Sequence, residues 1–83
     1  MADYVELVRY VAKALVNDPE AVQISSSEDQ EGIVKILIDV ADGDIGRMIG
    51  RRGATINAIR QVVRASAVKS GDRVVVDVRE DRA

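Results

Sequence analysis

The stretch that most restricts the fold is residues 33–40, Ile-Val-Lys-Ile-Leu-Ile-Asp-Val, because it is apolar on both faces of an extended chain. Four side chains alternate onto one face: Val34, Ile36, Ile38 and Val40. The other face carries Ile33 and Leu37 together with Lys35 and Asp39. A strand with apolar residues on both faces suits the centre of a sheet. The sequence therefore predicts a sheet in which residues 33–40 form the central strand.

Apolar periodicity predicts the remaining elements. In chain order they are a helix over 3–17, a strand over 21–25, the strand over 33–40, a helical turn over 45–49, a helix over 54–69 and a strand over 73–79. The core stripe predicted for the first helix is Tyr4, Val8, Val11 and Leu15. Asp3 and Asp44 are predicted N-caps, and Gly71 is a predicted helix stop. Residues 26–32 are predicted to form a polar turn.

The resulting order, α-β-β-α-α-β, predicts the topology of an α+β domain. The first two strands are joined by a turn and are expected to form an antiparallel hairpin. The second and third strands are joined by a two-helix crossover, which favours a parallel pair. We therefore expect a three-stranded mixed sheet with all helices on one face. With 83 residues, the chain is one domain over 1–83, its core at about 20–79 and its N-terminal helix at 3–17.

Composition argues against several functional classes. The chain has no His and no Cys, so it lacks the commonest general base and the thiolate metal ligands. We expect no enzymatic activity, no cofactor and no metal. No segment is apolar over the roughly 18 residues that a membrane span needs. The N-terminus begins polar and acidic, unlike a signal peptide, so we expect a cytoplasmic protein without a membrane partner.

The segment with recognisable chemistry is Ile45-Gly46-Arg47-Met48-Ile49-Gly50-Arg51-Arg52-Gly53-Ala54-Thr55-Ile56. Two glycines flank two arginines between two helical segments, and glycine permits backbone angles and close approaches that other residues do not. The loop opens the N-terminus of the helix over 54–69, where free N–H groups and the helix dipole favour a phosphate. The two arginines can bind phosphate oxygens in a fork. The pattern predicts a phosphate-binding loop.

The extended pattern I-G-x-x-I-G-R-R-G-x-x-I in this α-β-β-α-α-β order resembles a KH domain of the type II arrangement. It is most similar to the small stand-alone bacterial KH proteins of the KhpA (YlqC) family. The resemblance implies a non-catalytic protein that binds single-stranded RNA through a GXXG loop. It further implies an RNA chaperone or post-transcriptional regulator that forms homodimers or pairs with a KhpB (Jag/EloR)-type partner. A link to cell length and peptidoglycan homeostasis is implied in the same way.

The resemblance carries over to Gly50, Arg51, Arg52 and Gly53 as the phosphate-gripping loop, and to Ile49 and Ile56 as its apolar flanks. Beside the loop, further candidate RNA contacts are Arg47, Ala54 and Thr55, and more distant ones are Asn57, Arg60 and Lys35. Plainer interpretations stay open. Thr55 can cap the helix start, Arg60 and Arg64 can be solubilising surface residues, and Ile56 with Ile59 and Val63 forms a core stripe.

Two functions other than single-stranded RNA binding stay open. Residues 45–64 are also two helices around a glycine-containing turn, which is compatible with a helix–turn–helix DNA-binding protein. The chain also has a surplus of apolar side chains, namely Ile33, Leu37, Val62, Val68 and Val75. A dimerisation module with secondary RNA binding would bury some of them. If the protein binds single-stranded RNA, we expect the RNA to lie in a cleft between residues 45–59 and the strand over 33–40.

The charge is divided unevenly along the chain. The formal net charge is −2, but residues 45–71 hold six basic and no acidic side chains, a local charge of +6. The other 56 residues hold 6 basic and 14 acidic side chains, a charge of −8. An acidic protein with one basic segment directs a phosphate chain to that segment. The negative net charge of the whole chain is therefore compatible with binding nucleic acid.

Overall fold

The computed structural model describes residues 4–50 and 53–80, so the loop arginines Arg51 and Arg52 and the predicted cap Asp3 lie outside the described residues. Its helices are α1 (Tyr4–Leu15), α2 (Ile45–Ile49) and α3 (Ala54–Ser70), and its strands are β1 (Gln23–Glu28), β2 (Ile33–Asp39) and β3 (Arg73–Val78). Single turns of 3-10 helix occur at Pro19–Ala21 and Asp42–Asp44. The predicted order α-β-β-α-α-β is confirmed.

The sheet has the order β1-β2-β3, with β2 in the centre as the apolar run predicts. β1 pairs with β2 antiparallel, with Ile24 opposite Ile38, and β2 pairs with β3 parallel, with Ile36 opposite Val76. Because β2 is paired along both edges, its backbone is closed to any further partner. The free backbone edges of the sheet belong to β1 and β3.

The β1–β2 hairpin is longer and its turn tighter than predicted. β1 extends to Glu28, so Ser26 and Ser27 belong to the strand and not to the turn. Serine is a weak strand signal, and cross-strand pairing with β2 overrides it. The turn is closed by Asp29, whose carboxylate accepts the backbone N–H groups of Ile33 and Glu31. These bonds, first that from Ile33, hold the pKa of Asp29 below its ordinary value.

The core lies between the helices and one face of the sheet. Its buried members from the helices are Tyr4, Val8, Ala12, Met48, Ile56, Ile59, Val63 and Ala67. From the sheet and its flanks they are Val22, Ile36, Ile38, Val40, Val76 and Val78. In the predicted stripe of α1, Tyr4 and Val8 are buried and Val11 is half-buried against the core, but Leu15 is 41% exposed. Leu15 is the last residue of α1 and faces an open groove.

Two long-range side-chain contacts tie α1 and the segment after it to the rest of the domain. The hydroxyl of Tyr4 donates to Asp72 Oδ2 at 2.6 Å, directly before β3, and this hydrogen bond raises the pKa of Tyr4. Asp44 accepts the backbone N–H groups of Asn17 at 3.1 Å and Asp18 at 3.0 Å. Asp44 is the N-cap residue of α2 as predicted, but its side chain makes no capping hydrogen bond, because its carboxylate is turned toward the chain after α1.

The second face of the sheet is open. Lys35, Leu37, Val75 and Asp77 on this face are exposed, because α1, α2 and α3 all pack on the other face. The predicted arrangement of helices on one face is therefore confirmed. The apolar surplus is only partly covered, since Val62, Val68 and Val75 are exposed. No helix among residues 4–50 and 53–80 is long and apolar enough to cross a membrane.

Candidate nucleic-acid interface

The two glycines of the loop mark the end of one helix and the beginning of the next. The Gly50 N–H closes α2 by donating to the Gly46 carbonyl oxygen at 2.8 Å, and Gly50 has φ 63° and ψ −173°. Gly53 is the N-cap of α3, in the left-handed region at φ 74° and ψ 19°, with no side-chain hydrogen bond capping the helix. The first N–H groups of α3 are thus left without a side-chain cap, which favours an anion there.

Gly50 lies directly against Thr55 in the first turn of α3. A Cβ at position 50 would be 2.8 Å from Thr55 Oγ1 and 3.2 Å from the Thr55 backbone nitrogen. Glycine is required here both by backbone conformation and by this approach. Thr55, considered above as a helix cap, is not the N-cap residue of α3, and its side chain packs against the loop.

The apolar residues around the loop differ in burial. Ile56 is buried in the core, Ile49 and Ile45 are half-buried, and Met48 between them is fully buried. Ile56 therefore anchors the first turn of α3, which follows the loop, in the core. Arg47 is half-exposed, and its Nε lies 3.6 Å from Asp44 Oδ1, which offsets part of its charge.

Arg60 makes contacts within the protein and is not a free surface cation. Its Nε donates to the Val76 carbonyl oxygen at 2.8 Å, and its Nη1 donates to Asn57 Oδ1 at 3.0 Å. Its Nη2 lies 3.5 Å from Asp77 Oδ1. The interpretation of Arg60 as a merely solubilising residue is wrong, because these contacts fix it against the free edge of β3.

A narrow groove of about 60 Å³ runs between α3 and β3, lined by Arg60, Arg64, Val74, Val75 and Val76. We call it the α3–β3 groove. Its position corrects the expected cleft against residues 33–40. The strand beside α3 is β3, since β2 is enclosed between its two neighbours. Gly53, Asn57, Arg60 and Arg64 follow helical spacing along α3, so one line of residues leads from the loop to this groove.

The other candidate residues lie elsewhere. Ala54 and Thr55 line a second, apolar groove of about 410 Å³ between α1 and α3, together with Val11, Leu15, Ala58, Ile59 and Val62. We call this the α1–α3 groove. Lys35 lies on the open face of the sheet, opposite the helices. The structure therefore does not bring Lys35 together with the loop.

Sequence reasoning missed the backbone part of the site. The Val76 carbonyl and the Asp77 carboxylate meet Arg60 across 16 and 17 positions of the chain. Both belong to a strand recognised only for its apolar alternation. The contact of Asp44 with the chain before Pro19 was missed as well, because Asp44 was interpreted only as a helix cap. Asp77, a polar residue near the end of a predicted strand, was the only local signal for the contact with Arg60.

The fold and the loop together define a KH domain of the type II arrangement. The family model described as the KH domain of KhpA and KhpB matches residues 5–78 of the chain. The chain belongs to this family, and the resemblance stated above is confirmed. The helix–turn–helix interpretation is replaced by this fold, in which α2 has only five residues.

Curated relatives cover most of the chain. The RNA-binding protein KhpA of Caldanaerobacter subterraneus subsp. tengcongensis is 41% identical over 73 residues, which are 88% of this chain and 96% of the relative. The protein of the same name from Clostridium acetobutylicum is 40% identical over the same shares of both chains. That from Chlamydia trachomatis is 36% identical over 77 residues, 93% of this chain and 97% of the relative.

Proposed function

We propose that this protein binds single-stranded RNA without catalysing a reaction, and that it holds the RNA backbone at the Gly50–Gly53 loop. The observation that carries the proposal is that the two glycines bring the loop to the start of α3, whose first N–H groups have no side-chain cap and can bind a phosphate. Relatives at 36–41% identity are named RNA-binding proteins, which supports the same function. The α3–β3 groove would accept the unstacked bases.

The distribution of charge along the chain also favours RNA binding at the Gly50–Gly53 loop. Residues 45–71 carry +6, whereas the rest of the chain carries −8. Arg64 is exposed on α3, and Arg47 is half-exposed on α2, so both can add to the field around the loop. Few phosphates can be neutralised at once, so binding is expected to be weak and to depend on salt.

The test is the double variant Arg51→Asp/Arg52→Asp, titrated with labelled single-stranded RNA by fluorescence anisotropy. We expect affinity to fall about tenfold or more, because two charge-assisted contacts are lost and replaced by repulsion. We also expect the slope of log affinity against log salt to become shallower by about 1.4, or about 0.7 for each lost phosphate contact.

The matched control reverses two exposed basic residues on the open face of the sheet, Lys35→Asp/Arg73→Asp. It makes the same change in net charge away from the loop, and we expect its affinity to stay within about twofold of the parent, since screened distant charges contribute little. Equal losses in both double variants would show that net charge alone attracts RNA. Unchanged binding in a folded Arg51→Asp/Arg52→Asp protein would refute the role of the loop.

The proposal includes a homodimer formed through the α1–α3 groove. Leu15 is 41% exposed and Val62 is 46% exposed, and both line this apolar groove beside Val11. A two-fold contact would cover the same groove on both copies. A KhpB-type partner with its own KH domain would use the same surface. The proposed cellular role is that of a cytoplasmic RNA chaperone or post-transcriptional regulator, with the effects on cell length and peptidoglycan homeostasis that the resemblance implies.

A further inference from the structure

Arg60 is oriented before any ligand arrives. Three oxygens hold its three nitrogens: the Val76 carbonyl at Nε, Asn57 Oδ1 at Nη1 and Asp77 Oδ1 near Nη2. The side chain is 33% exposed, so it is part of the groove wall and still reaches solvent. These contacts already restrict the rotamers of the side chain. Little further conformational entropy is therefore lost when a ligand binds it.

Two N–H groups of Arg60 have no acceptor within residues 4–50 and 53–80. A guanidinium has five N–H donors in one plane. Nε and Nη2 are directed at consecutive residues of β3, and Nη1 is directed back to Asn57, one turn earlier on α3. The described oxygens thus account for one N–H on each nitrogen. The remaining pair, one on each terminal nitrogen, lies at the end of the planar group, where it can bind two neighbouring acceptors at once.

The surroundings favour a base over a phosphate at this end of Arg60. Asp77 stands 3.5 Å from Nη2 and offsets the charge that would attract a phosphate. The adjoining α3–β3 groove is narrow and is walled on one side by Val74, Val75 and Val76. A volume of about 60 Å³ suits the edge of one planar base. Because Asn57 connects Arg60 to Gly53 along α3, a strand held at the loop passes this point.

We infer that Arg60 reads one base of the bound strand and favours a base with two neighbouring acceptors. Guanine presents O6 and N7 in this way, and cytosine presents O2 and N3 on its pairing edge. Adenine and uracil alternate donors and acceptors along their edges, so they satisfy only one of the two N–H groups. Arg60 is thus a specificity-determining residue. The inference rests on the proposed RNA binding and adds the class of base to it.

The experiment measures the affinity of hexanucleotides of uridine in which each of the four central positions is replaced in turn by G, C or A. For the parent protein, we expect one position at which G or C binds about fivefold or more tighter than A or U, the effect of one bidentate contact. In Arg60→Lys, which keeps the charge but has no planar fork, we expect this preference to fall below about twofold.

Arg73→Lys is the matched control, because it makes the same replacement at an exposed arginine on the open face of the sheet, outside the α3–β3 groove. It should keep the base preference of the parent. Circular dichroism and thermal unfolding verify the fold of each variant. If Arg60→Lys unfolds, Asn57→Ala serves in its place, since it leaves the guanidinium but releases Nη1, and it should reduce the preference at the same position.

The outcomes separate the two proposals. No binding of any hexanucleotide by the parent protein would overturn the proposed RNA function and this inference with it. RNA binding by the parent without a G or C preference at any position would overturn this inference alone. A preference that survives unchanged in folded Arg60→Lys would do the same, and would leave Arg60 as a link between α3 and β3.

Discussion

At the scale of single residues, the two glycines of the loop have different reasons to be glycine. Gly53 is in the left-handed helical region, and a Cβ there would meet Asn57 Nδ2 at an ordinary 3.5 Å. Gly50 combines φ 63° with ψ −173°, a region that only glycine occupies readily, and a Cβ there would lie 2.8 Å from Thr55 Oγ1. The G-R-R-G motif looks symmetric in the sequence, but a side chain is less well tolerated at position 50 than at position 53.

We therefore predict that Gly50→Ala destabilises the protein by about 3 kcal/mol through backbone strain and the clash with Thr55. Gly53→Ala should cost about 1 kcal/mol, the penalty of one left-handed residue. The measurement is urea unfolding of both variants. Gly46→Ala in α2 is the control, because a Cβ there meets nothing within 4 Å and alanine favours helix, so its stability should equal or exceed the parent's. Equal losses at positions 50 and 53 would contradict the assignment.

At the scale of elements, α2 is too short to be stable without contacts to the rest of the domain. It has five residues, and an isolated helix of that length is unstable in water. Met48 anchors it in the core, and Asp44 anchors its start to the chain that follows α1. Asp44 is 2% exposed, the only charged side chain that is buried among residues 4–50 and 53–80. The position of the loop therefore depends on a contact with a distant part of the chain.

Replacement of Asp44 by alanine should lower the free energy of unfolding by about 2 kcal/mol, because the N–H groups of Asn17 and Asp18 lose a charged acceptor. Asp44→Asn retains one acceptor oxygen and should lose about half as much. Chemical denaturation checks both values. Asp42→Ala, an exposed acid in the same 3-10 turn, is the comparison. A loss after Asp42→Ala as large as that after Asp44→Ala would contradict the role given to the buried carboxylate.

At the scale of the whole molecule, α3 borders two grooves that differ in size and polarity. The α3–β3 groove is narrow and has two arginines in its wall, whereas the α1–α3 groove is wide and almost entirely apolar. The α1–α3 groove includes the first turn of α3, next to the loop, whereas the α3–β3 groove lies further along α3, at Arg60 and Arg64. RNA and a second copy of the chain can therefore bind on opposite sides of α3, and the contact between copies would place two loops on one particle.

The proposed dimer predicts a difference between two exposed valines of α3. Val62→Asp should weaken self-association roughly a hundredfold, because a two-fold contact brings the two introduced carboxylates together. Val68→Asp should leave it unchanged, although Val68 is more exposed, at 78% against 46%. Val68 does not line the groove. Sedimentation equilibrium at micromolar concentration measures both, and a monomeric parent protein would disprove the dimer.

Much of the fold could be predicted because it depends on local patterns. The apolar alternation over residues 33–40 placed β2 at the centre of the sheet, and the length of the crossover made β2 and β3 parallel. The errors have local causes as well. The strand predicted over 21–25 begins and ends later, at Gln23 and Glu28, since Ser26 and Ser27 form a strand only through pairing with β2. Leu15 matches the stripe of α1 but lies at its last residue, beyond the packed part of the helix.

By itself, the sequence determined the order of elements, the pairing of strands, the glycine–arginine loop and the separation of charge into a +6 segment and a −8 remainder. These properties depend on periodicity and residue type within short stretches. Three further features follow from packing between distant segments: β3 borders the α3–β3 groove, Arg60 is tied to Val76, and Lys35 lies on the opposite face. The reason is physical: each of these depends on packing between residues far apart in the chain, and no local pattern encodes which distant side chain a residue will meet.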